Sequence, residues 1–157
     1  MLNLEQIQNY FPPQIRENPA QRKYIVKEYI QLVILNFLAT SKFAKKITFI
    51  GGTNLRLVKG IDRFSEDLVF DCRNFSAEDF AEMSRSVLTF LNRSGVRAEA
   101  REKQSEKLTA FRSRIYFPEL LFDLGLSAYK EERFLIKIES QNQAFEYIPQ
   151  IDRKSVV

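Results

Sequence analysis

The sequence predicts an α+β domain, on three observations: two long stretches with helical spacing of apolar residues, several short runs with strand alternation, and glycine or charged breaks between them. All 157 residues are read as one domain, with a lead-in over 1–18 and a tail over 146–157 that either adds an edge strand or leaves the domain. Apolar residues at 45% and charged residues at 28% are ordinary for a globular chain, which excludes disorder as the organising state.

The first helix is expected from about 19 to 40, with Asn18 as N-cap and Pro19 as first helical residue. Its stripe is read as Tyr24, Ile25, Tyr29, Leu32, Val33, Asn36, Phe37 and Thr40, widened by Ile30, Ile34, Leu35 and Leu38. A strand follows at Ile47–Ile50, broken by Gly51-Gly52; "TNLRLVKG" then has room for about two helical turns capped by Gly60. The next strand is Asp67–Cys72. Ser76 opens a second long helix, because "SAED" has the form of a capping box with Asp79 in the place of glutamate, and Gly95 ends it.

"VRAEAREKQ" and "LTAFRSRIYFP" read as two strands joined by a charged turn, with Phe111, Ile115 and Phe117 as apolar markers. "ELLFDLGLSAYKEER" fits a short helix or an irregular connection equally well. "RFLIKIESQ" alternates Leu135, Lys137 and Glu139 against Phe134, Ile136 and Ile138, a strand with one polar face.

Composition excludes several chemistries. No histidine is present, so no imidazole zinc site, Ser-His-Asp triad or histidine base exists. Cys72 is the sole cysteine, which excludes an internal disulfide and suits a reducing compartment, with the cytoplasm as the expected location. The N-terminal segment lacks the pattern of a signal peptide, and the apolar run over 29–39 is about half the roughly 20 residues that a membrane span needs, so no membrane association is expected. The net charge of +4 weakly favours an anionic partner.

A glycine pair between a strand and a helix lets backbone approach a phosphate, with Thr53 adding a hydroxyl. Residues i and i+2 on a strand share a face at about 6.6–6.8 Å, so two carboxylates so placed can hold a pair of metal ions about 3.5–4 Å apart. Asp67 and position 69 form such a pair, and Glu139 on the polar face of the later strand is a third candidate ligand. Such hard oxygen donors suit magnesium.

The string "GGTNLRLVKGIDRFSEDLVFD" resembles nucleotidyltransferases of the AbiEii toxin family, within the DNA polymerase beta-like superfamily. The family pattern is a strand, Gly-Gly-Thr, a short helix, then Arg-x-Ser-Glu-Asp-hydrophobic-Asp. Gly51, Gly52, Thr53, Arg63, Ser65, Glu66 and Asp67 fit it, and Glu139 in "IKIE" fits the later acidic strand.

The resemblance implies a nucleotidyltransferase fold with a small, twisted, mostly antiparallel sheet packed with helices. It also implies an enzyme of a toxin–antitoxin or abortive-infection system, with a cognate antitoxin as partner, whether or not the two bind directly. Such an enzyme transfers a nucleotidyl group from a nucleoside triphosphate to RNA, with the tRNA 3′ end the expected acceptor. In the two-metal scheme Asp67 and Glu139 bind magnesium and are catalytic. Gly51, Gly52, Thr53, Arg63, Ser65 and Lys137 contact triphosphate, and Lys137 is also a candidate for acceptor RNA.

Two departures stand out. Val69 occupies the family's second aspartate, and the sequence ends at "IDRKSVV" without the family's C-terminal helical region. Asp71 shares the facing of Asp67 but lies about 13 Å along the strand, too far to replace the missing carboxylate without a bulge. The expectations are therefore a nucleotidyltransferase impaired at position 69 or, alternatively, a catalytically inactive relative that binds nucleotide or RNA. On either, Val69 points into the polar cleft and Cys72 into the core.

Overall fold

The computed structural model describes residues 3–11, 13–17, 21–50, 67–104 and 110–142. Its elements are α1 (Leu4–Gln8), α2 (Pro13–Arg16), α3 (Arg22–Ala39), β1 (Ile47–Ile50), β2 (Asp67–Cys72), α4 (Ala77–Arg93), β3 (Glu99–Gln104), β4 (Ala110–Tyr116), α5 (Leu120–Asp123) and β5 (Leu135–Asn142). The architecture is α+β, as expected. The strands form one sheet in the order β1-β2-β5-β4-β3. Three pairings are antiparallel and one, β2 with β5, is parallel.

That parallel pair sets the functional geometry. β2 and β5 start at the same end of the sheet, so their leading residues are neighbours: Asp67 opposes Lys137, and Val69 opposes Glu139. Along β2 burial alternates without interruption, with Leu68, Phe70 and Cys72 buried and Asp67, Val69 and Asp71 half-buried. On β5, Ile136 and Ile138 are buried while Lys137 and Glu139 are half-buried. A period of two on both strands separates an apolar from a polar face.

Both long helices contribute to the cluster that covers the apolar face. Val26, Ile30, Ile34 and Leu38 of α3 and Phe80, Met83, Val87 and Leu91 of α4 belong to one core with Leu68, Phe70, Ile115, Ile136 and Ile138. Phe37 and Phe90 stack between the helices at 4.5 Å. Each fully buried side chain of this kind stabilises by about 1.5–3 kcal/mol relative to exposure. Ile7 and Phe11 extend the packing over Ile25, binding the N-terminal turn to α3.

The capping box forms as the sequence predicts. The Ser76 hydroxyl accepts from the Asp79 N–H at 3.1 Å, and the Asp79 carboxylate accepts from the Ser76 N–H at 2.9 Å. At the other end Gly95 adopts φ +87°, which lets its N–H reach the Asn92 carbonyl and the Val96 N–H reach the Leu91 carbonyl, a Schellman closure. The Asn92 side chain then donates to the Ala98 carbonyl and accepts from its N–H, directing the chain into β3.

One expectation needs correction, and others are resolved or lie outside the described residues. The inward stripe of α3 is Ile25, Val26, Ile30, Ile34 and Leu38, whereas Tyr24, Asn36 and Thr40 are exposed. Apolar residues lie almost all round this helix, so periodicity alone does not choose a face. Gln21, without a side-chain capping bond, precedes the first turn at Arg22, and Asn18 and Pro19 lie outside the described residues. The lead-in contains short helices, the first capped by the Asn3 side chain on the Gln6 N–H. The ambiguous segment after β4 resolves as α5 followed by irregular chain. The helix proposed for "TNLRLVKG" and the edge strand proposed for "FEYIPQID" also lie outside the described residues.

Candidate active site

The polar face of the sheet is organised in rows that run across the strands. One row is Ile50, Val69, Glu139 and Arg112, with Lys103 at its β3 end; the next is Asp67, Lys137 and Arg114, with Arg101 at its end. Asp67 and Glu139 are diagonal neighbours on adjacent strands. A strand spacing of about 4.8 Å and an offset of about 6.7 Å separate their Cα atoms by about 8 Å. Two carboxylates leaning toward each other across that gap can reach one cation.

Val69 lies between them. It opposes Glu139 directly and is half-buried, while its neighbours Leu68 and Phe70 are buried in the core. Position 69 therefore faces the polar side, and a carboxylate there would sit beside both Asp67 and Glu139. Valine supplies no donor. On its other side Glu139 meets Arg112, whose Nε lies 3.4 Å from the glutamate Oε1. The Glu139 carboxylate thus has an apolar neighbour toward β2 and a cation toward β4.

Asp71 opposes Thr48 on β1 and Gln141 on β5, a full row beyond Val69. It shares the face but not the position. Cys72 is buried, and burial pushes its thiol up to about 12, with the nearby Ser140 hydroxyl acting in the opposite direction. It is a small core residue.

Of the residues proposed from sequence, Asp67, Lys137 and Glu139 come together here with Val69. Gly51, Gly52, Thr53, Arg63, Ser65 and Glu66 lie outside the described residues. Among the described residues, no group of three His, Cys, Asp or Glu side chains forms a cage. Asp67 and Glu139 are the carboxylates here that could hold a hard cation, and Val69 adds no donor beside them. Sequence reasoning missed Arg112 and Arg114; their signal is the period-two pattern in "FRSRIY", which puts both on the face that carries Glu139.

The sequence matches the model of the nucleotidyl transferase AbiEii toxin family, described as a type IV toxin–antitoxin system, over residues 33–150, and the chain belongs to that family of transferases. It is similar in fold to the crystal structure of JHP933 from Helicobacter pylori, with a TM-score of 0.52 and 19% identity over 79% of this chain and 46% of that one. A second H. pylori structure, described as a candidate nucleotidyltransferase, gives a TM-score of 0.48 and 19% identity over 74% of this chain and 44% of that one. The chain therefore spans less than half the length of either. No curated protein matches it. Among the described residues, no helix is long and apolar enough to cross a membrane.

Proposed function

We propose that this chain carries the active face of a nucleotidyltransferase that moves a nucleotidyl group from a nucleoside triphosphate to an RNA hydroxyl, with a tRNA 3′ end as the preferred acceptor. The observation that carries this reading is the β2–β5 register, which makes Asp67 and Glu139 diagonal neighbours on the polar face of the sheet. Family membership supports the transferase class. The cytoplasm is the site of action, and the antitoxin acts as genetic partner whether or not it binds the toxin.

In the reaction the acceptor oxygen bonds to the α-phosphorus, the bond from that phosphorus to the bridging oxygen breaks, pyrophosphate leaves, and the hydroxyl proton passes to solvent. Asp67 and Glu139 would hold magnesium, which would supply charge stabilisation to the phosphoryl oxygens. Lys137, in the row of Asp67, offsets charge on the triphosphate. The family pattern in the sequence assigns the remaining phosphates to Gly51, Gly52, Thr53, Arg63 and Ser65, which lie outside the described residues. Val69 withholds one carboxylate, so the native chain works well below the rate of an aspartate-bearing site.

A second reading is favoured by the same row. Because Glu139 is flanked by Val69 and paired with Arg112, a silent chain that binds nucleotide or RNA is the alternative. The test is incubation with tRNA, magnesium and each labelled nucleoside triphosphate, for the native chain and Val69→Asp. Transfer by the native chain, or by the variant alone, supports the transferase site. Binding of nucleotide or RNA without transfer by either protein supports the silent reading, and no binding by either contradicts both.

A further inference from the structure

The polar face carries a further row beyond that of Asp67, Lys137 and Arg114. Tyr116 follows Arg114 by two residues on β4, opposes Glu99 on β3 and Leu135 on β5, and is half-buried. It borders a cleft of about 270 Å³, lined also by Arg97, Glu99, Arg133 and the buried Phe117 and Phe134. The two phenylalanines are fixed to each other: the Phe117 N–H donates to the Phe134 carbonyl at 2.9 Å, and their rings meet edge to face at 5.7 Å. Lys23 of α3 holds Glu132, and Arg97 lies 3.4 Å from Glu119, so ion pairs tie both segments that border the cleft. A cleft held in this way is formed before any ligand arrives.

Its charge narrows the occupant. Glu119 and Glu132 have those cationic partners, and Glu99 and Glu131 stand with Lys130 and Arg133 around the rest of the rim. Acids and bases balance, so the cleft has no net attraction for a phosphate. It offers donors, acceptors and an aromatic ring, which suit a flat, neutral group with hydrogen-bonding edges. A nucleobase is such a group.

Position decides which nucleobase. Tyr116 stands one row and two strand spacings from Asp67, about 12 Å between Cα atoms, a gap that one nucleotide bridges from its base to its reacting oxygen. In phosphoryl transfer the attacking oxygen enters roughly in line with the leaving oxygen and opposite to it. The sequence of β1 runs on into the Gly51-Gly52 pair assigned to triphosphate, and β1 lies on the side of β2 away from β4. The acceptor therefore approaches across β5 and β4, the side that holds the cleft.

We infer that this cleft binds the 3′-terminal nucleobase of the acceptor RNA, with Tyr116 as its stacking surface, and thereby holds the terminal hydroxyl at Asp67 and Glu139. This deepens the transferase reading and rests on it for the identity of the acceptor.

The test is fluorescence anisotropy with a four-nucleotide single-stranded RNA, labelled at its 5′ end and carrying a free 3′ hydroxyl, with neither magnesium nor triphosphate present. Removing the base of the last nucleotide is expected to weaken binding to the native chain about 5- to 150-fold, the range for one base stacked on an aromatic side chain. Removing the base of the second nucleotide is expected to leave binding unchanged. Tyr116→Ala is expected to lose the same factor on intact RNA and to bind the RNA without its last base no more weakly, whereas Tyr116→Phe keeps native binding. The comparison of RNAs needs no variant, so it decides the matter even if Tyr116→Ala unfolds. Equal loss from either missing base, no loss from the terminal one, or no binding of intact RNA would overturn the cleft's role. Calorimetry showing weaker nucleoside triphosphate binding by Tyr116→Ala, with RNA binding unchanged, would overturn its assignment to the acceptor. The titration needs no turnover, so its outcome is read separately from label transfer by the native chain and Val69→Asp.

Discussion

Replacing Val69 by aspartate tests the register and the metal site in one variant. Val69 is half-buried, so the lost apolar burial costs about 1 kcal/mol, roughly half the value for a fully buried valine. A new carboxylate directly opposite Glu139 adds like-charge repulsion of up to about 1 kcal/mol. The metal-free variant is therefore expected to lose about 1–2 kcal/mol, which lowers Tm by about 2–8 °C for a chain of this size. Magnesium then reverses the order. At about 100 times its Kd a ligand bound only to the folded state returns about 2.7 kcal/mol, or about 5–10 °C. Differential scanning calorimetry with and without magnesium reads both terms. A magnesium gain no larger than that of the native chain would refute the shared site. A metal-free loss above about 4 kcal/mol, the signature of a charge buried in a core, would refute the placement of residue 69 on the polar face.

The other predictions concern particular contacts. Arg112→Ala releases Glu139 from its 3.4 Å partner and is expected to tighten manganese binding up to about fivefold, since exposed pairs contribute at most about 1 kcal/mol; titration by electron paramagnetic resonance reads this, and unchanged or weaker binding would contradict it. Ser76→Ala removes one arm of the capping box and is expected to cost about 1 kcal/mol in urea unfolding. Hydrogen bonding to Ser76 holds the Asp79 carboxyl below its usual range. Its contribution is thus present at neutral pH and lost as pH falls through the lowered value, so the stability difference between the native chain and Asp79→Asn should vanish in acid. Burial and a pKa pushed up to about 12 leave Cys72 inert, so a thiol reagent at neutral pH should label it only as the chain unfolds.

Much of this arrangement is legible in the sequence where the determinants are local. The strand at 67–72 ends where expected because its alternation and the following turn are contained in a few residues. Ser76 and Asp79 announce α4 through a reciprocal bond four residues long. The helix face of α3 is not local information: with Ile25, Leu32, Val33 and Leu38 spread round the axis, only the sheet decides which of them is buried. The same holds for Arg112 and Glu139, which meet across strands separated by the whole of α5 and the chain after it. Sequence shows each strand's polar face, and only the parallel register of β2 with β5 brings Asp67, Val69 and Glu139 together.

The central claim is that Asp67 and Glu139 form a cation site on the polar face of the sheet, from which Val69 withholds one ligand. Crystals grown with manganese and a non-hydrolysable nucleoside triphosphate, measured at the manganese absorption edge, test it directly. The native chain is expected to show one anomalous peak, about 2.0–2.2 Å from carboxylate oxygens of Asp67 and Glu139, and Val69→Asp two peaks about 3.5–4 Å apart. Peaks away from these residues in both proteins, or none in either, would contradict it.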